Sequence, residues 1–314
     1  SSPVEVAAFL GALKTRGETP EEVAGGVHAL RRVMVEVPLP VDGLVDTCGT
    51  GGGSLTTFNI STVAALVAAG GGVGVAKHGN RSFTSKCGSA DVLEALGVEI
   101  ELGPESLREL HGEVGFAFMF APRFHPAMGQ VAPVRRELGI STIMNLLGPL
   151  TSPARVRRQV VGVSRPELIP LLGGALEELG HERALVVHGE PGLDELSPLG
   201  VTRGLKLEGG RTERVEVRPS DYGWGSLEAE ELAGGDPEEN ARLTEDLLRG
   251  RRGGAARAAV ELNAAAAFYV AGRAQGLEEG LELARRSLDD GAAWETLVRL
   301  REESRRLAAR EAGA

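Results

Sequence analysis

Residues 46–91 read DTCGTGGGSLTTFNISTVAALVAAGGGVGVAKHGNRSFTSKCGSAD. Apolar Leu44 and Val45 lead into glycines at 49, 51, 52 and 53, then Asn59-Ile60-Ser61-Thr62 opens an alanine-rich segment of helical character. This is strand, glycine turn and helix start, an arrangement that brings backbone N–H groups close to an anion. The pattern then repeats. Val73–Ala76 reads as a strand, Lys77–Gly88 as a polar loop carrying Lys77, His78, Gly79, Asn80 and Arg81 with hydroxyls at 82, 84, 85 and 89, and Ser89 as the N-cap of a helix over 91–96. Two anion-binding loops separated by one helix suit a small molecule with more than one phosphate. Tight turns alone would not call for the adjoining Lys, Arg, Asn and hydroxyl side chains.

Two common phosphate signatures are absent. No run of Gly, four residues and Gly-Lys-Ser/Thr exists, and GxGxxG fails because Ser54 stands at its third glycine. Neither an ATPase nor a dinucleotide-binding dehydrogenase is supported.

The quoted stretch resembles the anthranilate phosphoribosyltransferases of tryptophan biosynthesis, through GTGG, TFNIST, KHGNR and GSADVLEALG. The resemblance runs over nearly the whole chain, including LNAAAA at 262–267. It implies a small all-helical domain (1–40 plus about 124–147) beside an α/β domain (41–123 and 148–314) with a mostly parallel central sheet flanked by helices. It also implies further helical residues ahead of Ser1, and a homodimer formed through the helical domain.

Composition bounds the class of protein. The 314 residues suggest about two domains, and 42% hydrophobic content suffices for a large core. The net charge of −10 argues against a nucleic-acid partner. Of four lysines (14, 77, 86 and 206), two fall inside the glycine-rich stretch, so positive charge is concentrated where an anion would sit. No apolar run reaches the ~18 residues of a membrane span, and two cysteines, Cys48 and Cys87, make no disulfide framework. A reduced cytoplasmic protein is expected.

Strand–helix alternation continues past the glycine loops. Phe116–Phe120 reads as a buried strand, His125–Leu138 as a helix, Asn145–Pro149 as a turn, and Gln159–Val163 and Arg183–Val187 as strands around a helix at 166–179. Short antiparallel strands are expected within 189–225. Closing helices are expected at 240–248, 255–275, 277–288 and 292–309. At the N-terminus, Thr19-Pro20-Glu21-Glu22 is a capping box with Pro at the first helical position.

Asp194-Glu195 follows the strand 183–187, a place suited to a hard metal ion such as magnesium, although a solvated acidic turn fits the same residues equally well. The resemblance assigns the pair, with the Ser61 hydroxyl, to Mg2+. It assigns phosphoribosyl pyrophosphate to Gly49, Gly52, Gly53, Thr57, Asn59, Ile60, Ser61, Thr62, Lys77, His78, Gly79, Asn80, Arg81, Ser82, Phe83, Thr84, Ser85 and Ser89. It assigns anthranilate to Gly49, His78, Asn80, Pro122 and Arg135. Arg135 alone would read as an ordinary solvated helix arginine.

No residue is required as a proton shuttle, no zinc-type spacing links the histidines, and GxSxG is missing. Three positions depart from the family pattern: Gly53 stands for an aspartate, Ser141 for an arginine, and Met144 for a phenylalanine. The rival readings are a pyrimidine nucleoside phosphorylase-like enzyme, whose lysine-serine-glycine-arginine signature is missing, and an inactive nucleic-acid-binding relative, which the acidic charge disfavours.

Overall fold

Reciprocal capping boxes set the first two helices. Ser2 caps α1 (Pro3–Arg16) with Glu5, and Thr19 caps α2 (Pro20–Arg31) with Glu22. The computed structural model describes residues 2–39, 42–82 and 86–313. The chain continues as β1 (Val45–Gly49), α3 (Ile60–Gly70), β2 (Val75–Gly79), α4 (Ser89–Ala95), α5 (Pro104–Val114), β3 (Phe116–Phe120), α6 (Ala121–Phe124), α7 (Pro126–Leu138), α8 (Ile143–Leu147) and β4 (Arg158–Gly162). It ends with α9 (Leu168–Glu178), β5 (Arg183–Gly189), β6 (Thr202–Glu208), β7 (Arg211–Val217), α10 (Pro237–Leu248), α11 (Gly254–Ala271), α12 (Leu277–Asp289) and α13 (Ala292–Ala312).

The strands form one sheet in the order β3-β2-β1-β4-β5-β6-β7. The first five are parallel, while β6 and β7 add an antiparallel edge. Alternation along the strands feeds two cores. Val160, Leu185 and Val187 face one core with α3, α11 and α13; Val161, Val163, Ala184 and Val186 face the other, with α1, α2, α8 and α9. Burial on both faces explains why these strands read as continuous apolar runs. The N-terminal helices form the small helical part, α1 packing on α7 and α8, and α2 on α8 and α9. No helix among the described residues is long and apolar enough to cross a membrane.

Chain order reverses at β1, which lies between β2 and β4. Sheets of this kind receive ligands at such a reversal, outside the carboxyl ends of the strands.

Local readings differ from the structure in four places. Lys77 and His78 belong to β2 and are buried, the Lys77 ammonium donating to Thr47 O and the His78 ring packing on His125. Gly88, not Ser89, is the N-cap of α4, and Asp91 satisfies the Gly88 N–H at 2.8 Å. The stretch 145–149 completes α8 and a 3-10 turn, opened when Asn145 Oδ1 accepts the Thr142 N–H at 3.2 Å. α5 is an amphipathic helix to which the sequence reading gave no element; Leu107, Leu110, His111 and Val114 form its buried face.

Candidate active site

The first glycine loop turns sharply over the end of β1. Gly51 and Gly52 have φ of 68° and 81°, the left-handed region in which glycine is favoured. Two bonds tie the loop to β4: Thr50 N–H donates to Gly162 O at 2.9 Å, and Ser164 N–H donates to Thr50 Oγ1 at 3.1 Å. The segment after β5 closes over it, with Gly51 N–H donating to Asp194 Oδ2 at 2.9 Å. Close approach explains the glycines that end the strands. A Cβ on Gly49 would stand 2.4 Å from Asp194 Oδ2, and one on Gly162 would stand 1.5 Å from Asp194 O.

Beside Asp194, Glu195 Oε1 accepts the Ser61 N–H at 3.2 Å, at the start of α3. Its Oε2 is buried without a partner. Burial and the Asp194 charge push the Glu195 carboxyl up to about 8, against the pull of Lys77 and the Ser61 N–H. Burial also raises Asp194. Two adjoining buried carboxylates that resist ionisation, one with an orphaned oxygen, have a chemistry that a cation would satisfy. Among the described residues no group of three or more His, Cys, Asp and Glu side chains is placed to hold a metal. An ion here would need oxygens from substrate and water, which suits magnesium.

Lys77 comes up beneath the same loop. It is 2% exposed; its ammonium donates to Thr47 O at 2.5 Å and stands 3.5 Å from Ser61 Oγ. Asp46 is also fully buried, and burial lifts its carboxyl to about 6 although Lys77 and bonds from His78 N–H and Gln159 Nε2 oppose the rise. Lys77 is thus a buried cation among carboxylates and not the open loop lysine expected from the sequence.

The next residue on β2 faces the other way. His78 packs against His125, ring centroids 4.9 Å apart. Burial first, and His125 second, hold it down at about 3, so it is a neutral imidazole with an unpaired Nε2. Farther along, Arg81 is tied to Asp91 and Glu94 of α4 and lies 5.4 Å over the Phe120 ring. Its planar fork is therefore already occupied by carboxylates. Asn59 braces the site: its amide bonds Cys87 O at 3.1 Å and accepts Asn240 Nδ2 at 3.0 Å.

These groups wall a cavity of about 1050 Å³. Of the residues singled out from sequence, all within the described part line it except Ile60, whose side chain is buried in the core. Phe83, Thr84 and Ser85 lie outside the described residues. Pro122 and half-buried Arg135 line the same cavity, and no carboxylate among the described residues pairs with Arg135. Lys14 and Arg165 also reach the cavity and were not foreseen. Lys14 looks like any lysine in the last turn of a helix, and Arg165 stands outside every motif, so neither gave a signal.

Comparison with known proteins agrees with this geometry. The model of the glycosyl transferase family a/b domain matches residues 41–294, and that of the family's helical bundle domain matches residues 1–34. The anthranilate phosphoribosyltransferase of Rubrobacter xylanophilus is 51% identical over 312 residues, 99% of this chain and 91% of that protein. The chain belongs to the anthranilate phosphoribosyltransferase family. The crystal structure of anthranilate phosphoribosyltransferase (TrpD) from Thermus thermophilus superposes with a TM-score of 0.92 at 48% identity, covering 97% of this chain and 91% of that one. That from Saccharomyces cerevisiae, in complex with PRPP and Mg, gives 0.88 at 31% identity, covering 96% and 85%. Within this anthranilate phosphoribosyltransferase family member, Gly53 lies against the carboxylate pair: a Cβ there would be 3.4 Å from Asp194 Oδ1 and 2.8 Å from Gly192 O.

Proposed function

We propose that this chain joins C1 of phosphoribosyl pyrophosphate to the amine of anthranilate and releases pyrophosphate, as a step of tryptophan biosynthesis. The observation that carries the reading is the cavity's lining: a glycine loop, a helix start and a carboxylate pair share one cavity with a half-buried arginine. An aromatic amine is neutral near pH 7, so the reaction needs little base. The demanding part is parting an anionic leaving group from a ribosyl centre that gains positive charge.

The chain's own groups meet that demand by positioning and electrostatics. The glycine loop takes the pyrophosphate side, with Lys77 as the fixed cation beneath, while the Gly51 and Ser61 N–H groups serve it indirectly by holding Asp194 and Glu195. Asp194, Glu195 and the Ser61 hydroxyl would hold Mg2+, and the orphaned Glu195 Oε2 supports that fit. Bound there, the ion would neutralise charge on the departing pyrophosphate. Arg135 pairs with the anthranilate carboxylate, and neutral His78 with Asn80 and Pro122 orients the ring. Exposed Val4 and Phe9 on α1, with Val33 and Val35 after α2, support a homodimer through the helical part, which sedimentation would register as twice the chain mass. Loss of anthranilate fluorescence on adding phosphoribosyl pyrophosphate and magnesium tests the activity directly.

Arg135→Ala is expected to raise the anthranilate KM by roughly ten- to a hundredfold, the loss of about 1.5–3 kcal/mol from one charge-assisted contact. The donor KM should hold. Steady-state kinetics with an aniline lacking the carboxylate is the control: an equal loss with that acceptor would dismiss the pairing.

Gly53→Asp restores the family's carboxylate beside Asp194 and must displace the Gly192 carbonyl to fit. The expected result is a changed magnesium dependence of initial rate together with a lower melting temperature. Superimposable magnesium titrations would place residue 53 outside the ion's reach.

A further inference from the structure

Asn263 is a polar side chain on α11, the alanine-rich helix packed across α3, β1, β4 and β5, and it is 5% exposed. A buried amide there is costly unless its hydrogen bonds are made. Three are made. Asn263 Oδ1 accepts the Leu196 N–H at 3.0 Å, while Nδ2 donates to Leu196 O at 2.9 Å and to Ala259 O at 2.9 Å. One side chain thus holds both backbone groups of the residue that follows Asp194-Glu195.

The rest of that segment is fixed by other means. Before the pair, Leu193 is locked in reciprocal bonds with Gly189, and Asp194 takes the Gly51 N–H. After it, Ser197 N–H donates to Thr202 Oγ1 at 2.8 Å. Leu196 itself is fully buried, and no other group among the described residues supplies its N–H and C=O with partners. The direction of the Glu195 side chain therefore depends on α11, an element outside the glycine loops.

We infer that Asn263 is a positioning residue for the cation site: through Leu196 it sets where Glu195 presents its unpaired Oε2. The inference rests on reading Asp194 and Glu195 as metal ligands. Residues behind a ligand matter because loss of such a support weakens metal binding about 10–100-fold.

The test is calorimetric binding of Mn2+ to the full chain in the presence of inorganic pyrophosphate. Asn263→Asp keeps the shape and can still accept from Leu196 N–H, but it turns a carboxylate oxygen toward Leu196 O; Asn263→Ala removes both bonds. About tenfold weaker Mn2+ binding is expected for Asn263→Asp, and more for Asn263→Ala. Hydrogen exchange should rise in the 193–198 segment and little elsewhere. Glu195→Gln is the control. If it too leaves Mn2+ affinity unchanged, the metal reading itself falls. If Glu195→Gln weakens binding and folded Asn263→Asp does not, the role assigned to Asn263 falls alone. Faster exchange spread over the whole chain would mark Asn263 as a residue of the fold and overturn the inference as well.

Discussion

Replacing Asp194 by Asn and Glu195 by Gln together is expected to lower turnover on the order of a thousandfold, because several kcal/mol of charge stabilisation leave with the cation. The same change should stabilise the metal-free protein at alkaline pH. Glu195 in the folded chain sits near 8, above its ordinary 4.5, so between those values the folded state holds a proton that the unfolded state has released. Parent stability therefore falls as pH rises through that window and levels off above it. Glutamine has no such dependence. Urea melts in chelator at about pH 5 and about pH 9 should diverge, with the double variant ahead at the higher pH. A double variant that turns over at the parent rate would remove the pair from the site.

Lys77→Met should damage both binding and folding. Lys77 is buried, with Asp46 below it and Glu195 near it, and removing it leaves those carboxyls without their cation. Breaking a buried charge arrangement destabilises by about 3–5 kcal/mol. Affinity for phosphoribosyl pyrophosphate should fall as well, and calorimetry on the folded fraction measures that. Adding Asp46→Asn should return part of the stability and none of the affinity, since it removes only the stranded carboxylate. Parent-like melting and parent-like donor binding in Lys77→Met would together refute the assignment.

Glycine spacing and hydroxyl placement carried most of the site's outline. Gly49, Gly51 and Gly52 mark a turn that only small residues can make, Leu44 and Val45 ahead of them marked β1, and continuous apolar runs marked the strands that β4 and β5 became. Reading failed where burial contradicts polarity. A lysine followed by histidine looks like the start of a loop, and nothing local says that Thr47 O and Ser61 Oγ receive the ammonium from other elements. The ion pairs of Arg81 were hidden for another reason: its partners Asp91 and Glu94 are ten or more residues on and meet it only once α4 has turned. Asn263 was visible inside LNAAAA, yet its partner Leu196 is 67 residues away, a separation no spacing rule reaches.

The alternation of β2 has one more consequence. Lys77 points to the α3 side and His78 to the helical side, so in the reaction proposed above adjacent residues of one strand would serve donor and acceptor from opposite faces of the sheet. The spacing between the two side chains is set by a covalent backbone instead of by packing between domains. A slip of β2 by a single residue would exchange the two walls, putting the imidazole against the carboxylates and the ammonium against the acceptor. Register against β3, where Lys77 lies opposite Phe118 and His78 opposite Met119, thus fixes which face of the sheet each side chain addresses.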